Sequence, residues 1–153
     1  MATYDLLAFQ HPGDNVVRLT SQSLYVNGQN GLLVTGMQKL VQNWLLEFLT
    51  VPGSSGFHLA DRGTFFLPNL QASIAGSELG VRSAFNFAAA RIYENFQKRY
   101  SSTTPAEERL GPVSLDRVVI SPGFLQLEIT ITNSVGSAST VTAPISTLST
   151  VTL

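Results

Sequence analysis

The chain has 153 residues, with 9 basic and 10 acidic side chains, a formal net charge of −1 and no cysteine. This length predicts a single domain, residues 1–153, large enough to bury a core without disulfides or metals. The balanced charge argues against a nucleic-acid or anionic-membrane partner held by electrostatics, and the lack of cysteine excludes disulfides and thiolate metal sites. Charged residues make up only 12%, about half the share usual in soluble domains. Such a low share indicates a surface partly hidden in an assembly.

The first 31 residues predict an N-terminal arm with one or two short strands. Residues 16–26 are rich in β-formers, and residues 27–31, Asn-Gly-Gln-Asn-Gly, predict a turn. The N-terminus lacks a basic stretch followed by a long apolar one, so we expect no signal peptide. No apolar run in the chain approaches membrane-spanning length.

Residues 35–50 predict the core helix. Their apolar side chains recur at three- and four-residue spacing and so share one helix face. We expect the Thr35 hydroxyl to cap the first turn and Pro52 with Gly53 to end the helix. The apolar positions, which include the only tryptophan, are Met37, Leu40, Val41, Trp44, Leu45, Phe48 and Leu49.

A second helix is predicted over residues 77–100. Between the two helices, residues 64–67 predict a short buried segment, and Gly63 and Pro68 act as punctuation. In the second helix Val81, Phe85, Ala88, Ile92 and Phe96 lie at helical spacing. A short charged connector, residues 106–110, follows.

The last third of the chain predicts β-structure. Residues 113–120 and 124–132 form a hairpin around a turn at 121–123, with a bulge near Asp116 and Arg117 where the apolar phase slips. Period-two alternation is clearest in the second strand. The predicted fold is α+β, with two main helices packed on one face of a small antiparallel sheet that ends in a hairpin and an extended tail.

The tail, residues 129–153, contains no charged residue and is rich in threonine, serine and valine. This composition favours extended structure. Pro144 is its one edge-protecting residue, although natural sheets guard free edges with charges, prolines or bulges. Two interpretations stay open: a disordered tail, or a strand that a partner chain covers.

The search for catalytic chemistry yields weak candidates. Ser54 and Ser55 lie near His58 and Asp61, but a Gly-Ser-Ser-Gly loop supplies no fixed nucleophile elbow. His58 and the distant His11 do not have the spacing of a zinc site.

Carboxylates and glycines are equally uninformative about catalysis. Glu107 and Glu108 are adjacent, whereas glycosidase carboxylates lie several Å apart across a sugar ring. The glycines follow no phosphate-binding spacing. We therefore expect no catalytic residue, no cofactor and no metal site.

The order of these parts resembles the baseplate wedge family of contractile phage tails, the small sheath-initiating subunits sometimes labelled lysozyme-like. The matching pieces, over about residues 5–145, are Gln38 and Gln42 in the first helix, Leu-Thr-Val-Pro-Gly at 49–53, Asp-Arg-Gly-Thr at 61–64, Glu-Arg-Leu at 108–110 and the hairpin. The family has Glu-Pro-Arg-Ile where this chain has Glu-Arg-Leu, and usually Gly-Glu-Arg where this chain has Gly-Ser-Ser-Gly. At these two motifs the residue roles of the family therefore do not transfer directly to this chain.

The resemblance implies a structural role in the virion tail baseplate, reached from the host cytoplasm during assembly, in multiple copies of a symmetric structure. Expected partners are other baseplate wedge subunits and the tail sheath protein, which would dock by strand exchange onto residues 124–151. The connector would lock the domain to its neighbours by charge-assisted hydrogen bonds, or else be a solvated charged turn. The implied interaction residues are Glu108, Arg109, Leu125, Leu127, Ile129, Ile131, Val141 and Ile145.

Two alternatives to the baseplate wedge remain. One is a different tail structural subunit, similar to a sheath, tube or terminator protein. The other, suggested by the family's old label, is a peptidoglycan lysozyme. A lysozyme needs a carboxylic acid with a raised pKa in an apolar cleft, and Glu47 is the one acidic residue with an apolar sequence context. Loss of cell-wall cleavage on Glu47→Gln would identify such an enzyme.

Overall fold

The structure is a computed structural model that describes residues 33–53, 62–71 and 77–146 and five short strands before them. The α+β class is confirmed: helices pack on one face of a three-stranded antiparallel sheet. The strands are β1 Asp5–Leu6, β2 Phe9–Gln10, β3 Arg18–Leu19, β4 Tyr25–Val26, β5 Gln29–Asn30, β6 Leu33–Val34, β7 Leu110–Ser121, β8 Phe124–Asn133 and β9 Ala138–Ser146. The helices are α1 Gly36–Leu49, α2 Phe66–Gln71 and α3 Glu78–Arg99, and a 3-10 turn spans Ala106–Glu108.

The N-terminal strands form three small antiparallel pairs, β1 with β6, β2 with β3, and β4 with β5. Strands are therefore more numerous in this region than the one or two predicted. The turn predicted at residues 27–31 is too long, because Gln29 and Asn30 belong to β5 and pair with Val26 and Tyr25.

Helix α1 is confirmed within one residue at each end, but its predicted cap is wrong. Thr35 occupies the N-cap position with extended backbone angles, and its side chain makes no capping hydrogen bond. Gly36, the next residue, has a positive φ of 56°. At the start of α3, by contrast, the Ser77 hydroxyl accepts a hydrogen bond from the Gly80 backbone N–H at 3.0 Å.

The two caps provide a matched pair of variants. Ser77→Ala should lower the free energy of unfolding by about 1 kcal/mol, because the Gly80 N–H loses its acceptor. Thr35→Ala should change it by less than about 0.5 kcal/mol, since no capping bond is lost. Urea denaturation of both variants measures the difference, and equal losses would contradict this assignment of the caps.

Helix α2 lies where the sequence predicted only a short buried segment. Pro68 is its third residue, and the sequence interpretation treated this proline as punctuation. The first four N–H groups of a helix have no intrahelical acceptor, so a proline there costs no hydrogen bond. The helix begins with the buried ring of Phe66.

The core contains an aromatic cluster between α1, α2 and α3. The Phe48 ring centroid lies 4.9 Å from that of Trp44, 4.4 Å from that of Phe66 and 5.6 Å from that of Phe85. All four rings are buried. The apolar face predicted for α1 is therefore the face that meets the other helices.

The sheet has the order β7-β8-β9. The hairpin of β7 and β8 is confirmed, and so is the bulge, since the register shifts between Leu115 and Arg117. The disordered-tail interpretation is wrong for residues 138–146, which form β9 and pair with β8 from Ala138 opposite Thr132 to Ser146 opposite Phe124. Residues 147–153 lie outside the described part of the chain.

Candidate functional site

Six of the eight predicted interaction residues line the inner face of the sheet. Each is buried, and together they form the core with the helices. Their alternation along β8 and β9 places them on the face that meets α1, so a partner cannot reach their side chains while the sheet stays folded. The six are Leu125, Leu127, Ile129, Ile131, Val141 and Ile145.

Strand β8 is not an acceptor strand. It lies in the centre of the sheet, hydrogen bonded to β7 on one side and to β9 on the other. Its main-chain groups are therefore occupied, which corrects the expectation that the whole of residues 124–151 receives a partner. The two edge strands of the described sheet are β7 and β9.

The edge of β7 is blocked. The Arg82 guanidinium, from α3, donates through Nη1 to the Leu115 carbonyl at 2.8 Å. The bulge after Leu115 puts Asp116 out of register, and Pro112 lacks an N–H. Proline, a bulge and charge are the devices by which natural sheets prevent edge pairing.

Among the strands that the structure describes, β9 pairs with β8 alone, so its other edge is open there. The direction of its backbone groups follows from two observations. Asn133 donates its backbone N–H to the Ser137 carbonyl at 2.9 Å. The odd-numbered residues of β8 therefore direct their backbone N–H and C=O groups toward β9. Pro144, opposite Gln126, has no N–H, which fits a position that faces away from β8. With period two, Ala138, Thr140 and Thr142 also direct their N–H and C=O groups outward.

None of these three outward N–H groups has a hydrogen-bond acceptor within the part of the chain that the structure describes. The strand carries no charged side chain. Within the described residues, the edge of β9 therefore offers three backbone donors without acceptors and lacks the charges that usually guard a sheet edge.

The connector is tied into its own chain. Glu108 is buried, and its Oε2 accepts a hydrogen bond from the Lys39 ammonium of α1 at 3.0 Å. Arg109 donates to the carbonyls of Thr104 and Ser101 at 3.1 and 3.2 Å. The solvated-turn interpretation is therefore wrong for Glu108, which ties the connector to α1. Arg109 holds the loop of residues 101–109 together from within.

Glu47 is the second buried carboxylate. Its Oε1 accepts from the Gly63 N–H at 3.1 Å and from the Asn95 side chain at 3.0 Å, and its Oε2 accepts from Arg99 at 3.1 Å. A general acid of the lysozyme type needs an apolar pocket and a proton to donate. Here the carboxylate lies beside a guanidinium and joins α1, α3 and the segment before α2.

A groove of about 600 Å³ lies between these two carboxylates. One side of α1, the C-terminal end of α3 and residues 100–105 line it, together with Arg62. Burial raises the pKa of the Tyr100 phenol, while the hydrogen bond from the Leu110 N–H lowers it by less. Tyr100 is therefore neutral at physiological pH and joins α3 to the start of β7.

The described residues define an α+β domain whose three-stranded sheet has one blocked edge and one edge without a partner strand among them. Comparisons of the chain with protein-family models, with curated proteins and with solved structures find no match. Among the residues that the structure describes, no three His, Cys, Asp or Glu side chains come together to hold a metal ion. No helix in the described ranges is both long and apolar enough to span a membrane.

The hydrogen bonds that block the β7 edge and hold Glu47 could not be predicted from the sequence. The candidate residues Ser54, Ser55, His58, Asp61 and His11 lie outside the described residues. Arg82 and Glu47 carry no local signal of their roles, because their partners are 33 and 16–52 residues away in the chain. The alternation of Val141, Ala143 and Ile145 with polar residues was the available signal for β9.

Proposed function

We propose that the protein is a structural subunit of a phage contractile-tail baseplate wedge that binds larger wedge subunits and initiates sheath assembly by strand exchange. The single observation that carries this proposal is the open, uncharged edge of β9 beside the blocked edge of β7. An extended segment that adds to such an edge gains main-chain hydrogen bonds, which is the chemistry of strand exchange. The acceptor strand in this proposal is β9.

Binding to the wedge subunits would use the outer face of α3. Leu79 and Phe87 are 80% and 75% exposed there, and Tyr93 is 49% exposed. Ser83 and Asn86, also exposed, make the middle of this face uncharged. Large exposed apolar side chains on one helix face suit a protein–protein contact, and we propose that this face meets the helices expected of the larger wedge subunits.

The buried carboxylates support a scaffold role. Glu47 and Glu108 each pair with a cation of another element, so both fix the angle between α1, α3 and the connector. A subunit that templates a sheath ring needs a rigid sheet edge. We expect Glu47→Gln to leave cell-wall hydrolysis unchanged from background, because the role of Glu47 here is to hold the fold.

Amide hydrogen exchange with and without the tail sheath protein of the same phage tests the proposal. The amides of Ala138, Thr140 and Thr142 should exchange quickly in the isolated protein and at least about tenfold more slowly in the complex.

Co-purification with the wedge subunits tests the α3 surface, and Phe87→Ala should weaken it. Binding of neither partner would reject the assembly role, and fast exchange at β9 in a stable sheath complex would reject strand exchange.

A further inference from the structure

We propose that Pro144 fixes the register of the strand that adds to β9, so that the incoming segment pairs with Ala138–Thr142 and stops before Pro144. This inference rests on the proposed function in taking β9 as the acceptor edge. Within the outward-facing set, Pro144 is the position that cannot donate. Within the described strand, it separates the three donors before it, Ala138, Thr140 and Thr142, from Ser146 after it.

The reason is the cost of an unpaired carbonyl. In a two-strand ladder each outward residue of β9 donates to one carbonyl of the incoming strand. A carbonyl placed opposite Pro144 would lose water and gain no donor, which is unfavourable. Registers that run past Pro144 are therefore disfavoured, and the favoured register ends at Thr142.

The same geometry specifies the chemistry of the incoming segment. On the inner side its side chains would continue the row of Val141 and Ala143, which are buried beneath α1. On the outer side they would lie beside Thr140, whose hydroxyl is 2.7 Å from that of Thr130. We therefore assign to this edge an extended, uncharged segment of about five residues in which apolar and hydroxyl side chains alternate.

An acetylated and amidated hexapeptide of alternating valine and threonine is the probe. Titrated into the full chain, it should slow exchange of the amides of Ala138, Thr140 and Thr142 and leave that of Ser146 fast. Pro144→Thr should tighten peptide binding about two- to tenfold, the range that one added backbone hydrogen bond gives, and should extend protection to the amide at position 144 and to Ser146.

Thr140→Pro is the opposite variant. It removes the central outward donor without removing a bond to β8, and peptide binding should weaken by at least about tenfold. If that variant does not fold, Thr140→Lys replaces it, because a charge at the edge also opposes pairing. Thr132→Lys is the matched control, since Thr132 lies on the central strand and the same charge there should leave peptide binding unchanged within about twofold.

Three outcomes would overturn the inference: protection of Ser146 in the unaltered chain, no change in peptide binding in Pro144→Thr, or protection that appears with protein concentration in the absence of peptide. The last would assign the edge to a second copy of this chain. Peptide binding in the expected register without sheath binding would reject the proposed function alone. Sheath binding with protection on β9 that extends to Ser146 would reject only the register.

Discussion

Replacing Phe48 with alanine should lower the free energy of unfolding by about 3–5 kcal/mol. The ring is fully buried between Trp44, Phe66 and Phe85, so its removal loses both transfer free energy and contacts on every side. At this chain length each kcal/mol shifts the melting temperature by about 2–4 °C, so a decrease of roughly 10 °C is expected. Chemical and thermal denaturation measure the two quantities.

Phe87→Ala is the matched control. The substitution is identical, but the Phe87 ring is 75% exposed, so the free energy of unfolding should change by less than about 0.5 kcal/mol. Comparable losses in the two variants would mean that the apolar face of α1 is not the centre of the core. Because Phe87→Ala should leave stability intact, it also isolates the contribution of the α3 surface to the proposed binding of wedge subunits.

Local pattern predicted the elements whose stabilising contacts repeat along the sequence. The three- and four-residue spacing of Leu40, Trp44 and Phe48 identifies α1 and its buried face, and period-two alternation identifies β8. The bulge was also predictable, because Val113 and Leu115 are out of phase with Val118. In each case one face of the element is buried, and burial imposes its period on the sequence.

Contacts between distant parts of the chain could not be predicted in the same way. Strand β9 has a weaker apolar stripe, and its place at the edge depends on pairing with β8, which no local pattern specifies. The roles of Glu47 and Arg82 depend on groups that the fold brings from other elements. The sequence also could not show that the Thr35 side chain makes no capping hydrogen bond. A serine or threonine before a helix often caps it, but whether the bond forms depends on the backbone geometry.

The two edges of the sheet show why the position of charges matters more than their number. A low charged fraction suggested a hidden surface, but it did not locate one. The structure places Arg82 against the β7 edge and leaves β9 without charge. Within the described residues the protection is therefore one-sided, as the proposed addition of a strand to β9 alone would require.

Gly63→Ala should destabilise the protein by about 2–5 kcal/mol through the segment that holds Glu47. Gly63 has a φ of 88°, where an alanine costs about 1–2 kcal/mol. An added Cβ would also collide with the Thr50 carbonyl oxygen and lie 3.2 Å from the Pro52 nitrogen, and overpacking of this kind costs about 1–3 kcal/mol more. These are backbone atoms, so they cannot move aside as a flexible side chain would.

Gly53→Ala separates the two contributions. Gly53 has a similar φ of 76°, but nothing lies within 4 Å of its added Cβ, so only the conformational cost of about 1–2 kcal/mol applies. The free energy of unfolding should fall further in Gly63→Ala than in Gly53→Ala. In Gly63→Ala the amide of the next residue, Thr64, which donates to the Thr50 carbonyl at 2.8 Å, should also exchange faster. Equal losses in the two variants would mean that the segment can move away from α1, and that Glu47 is held by α3 alone.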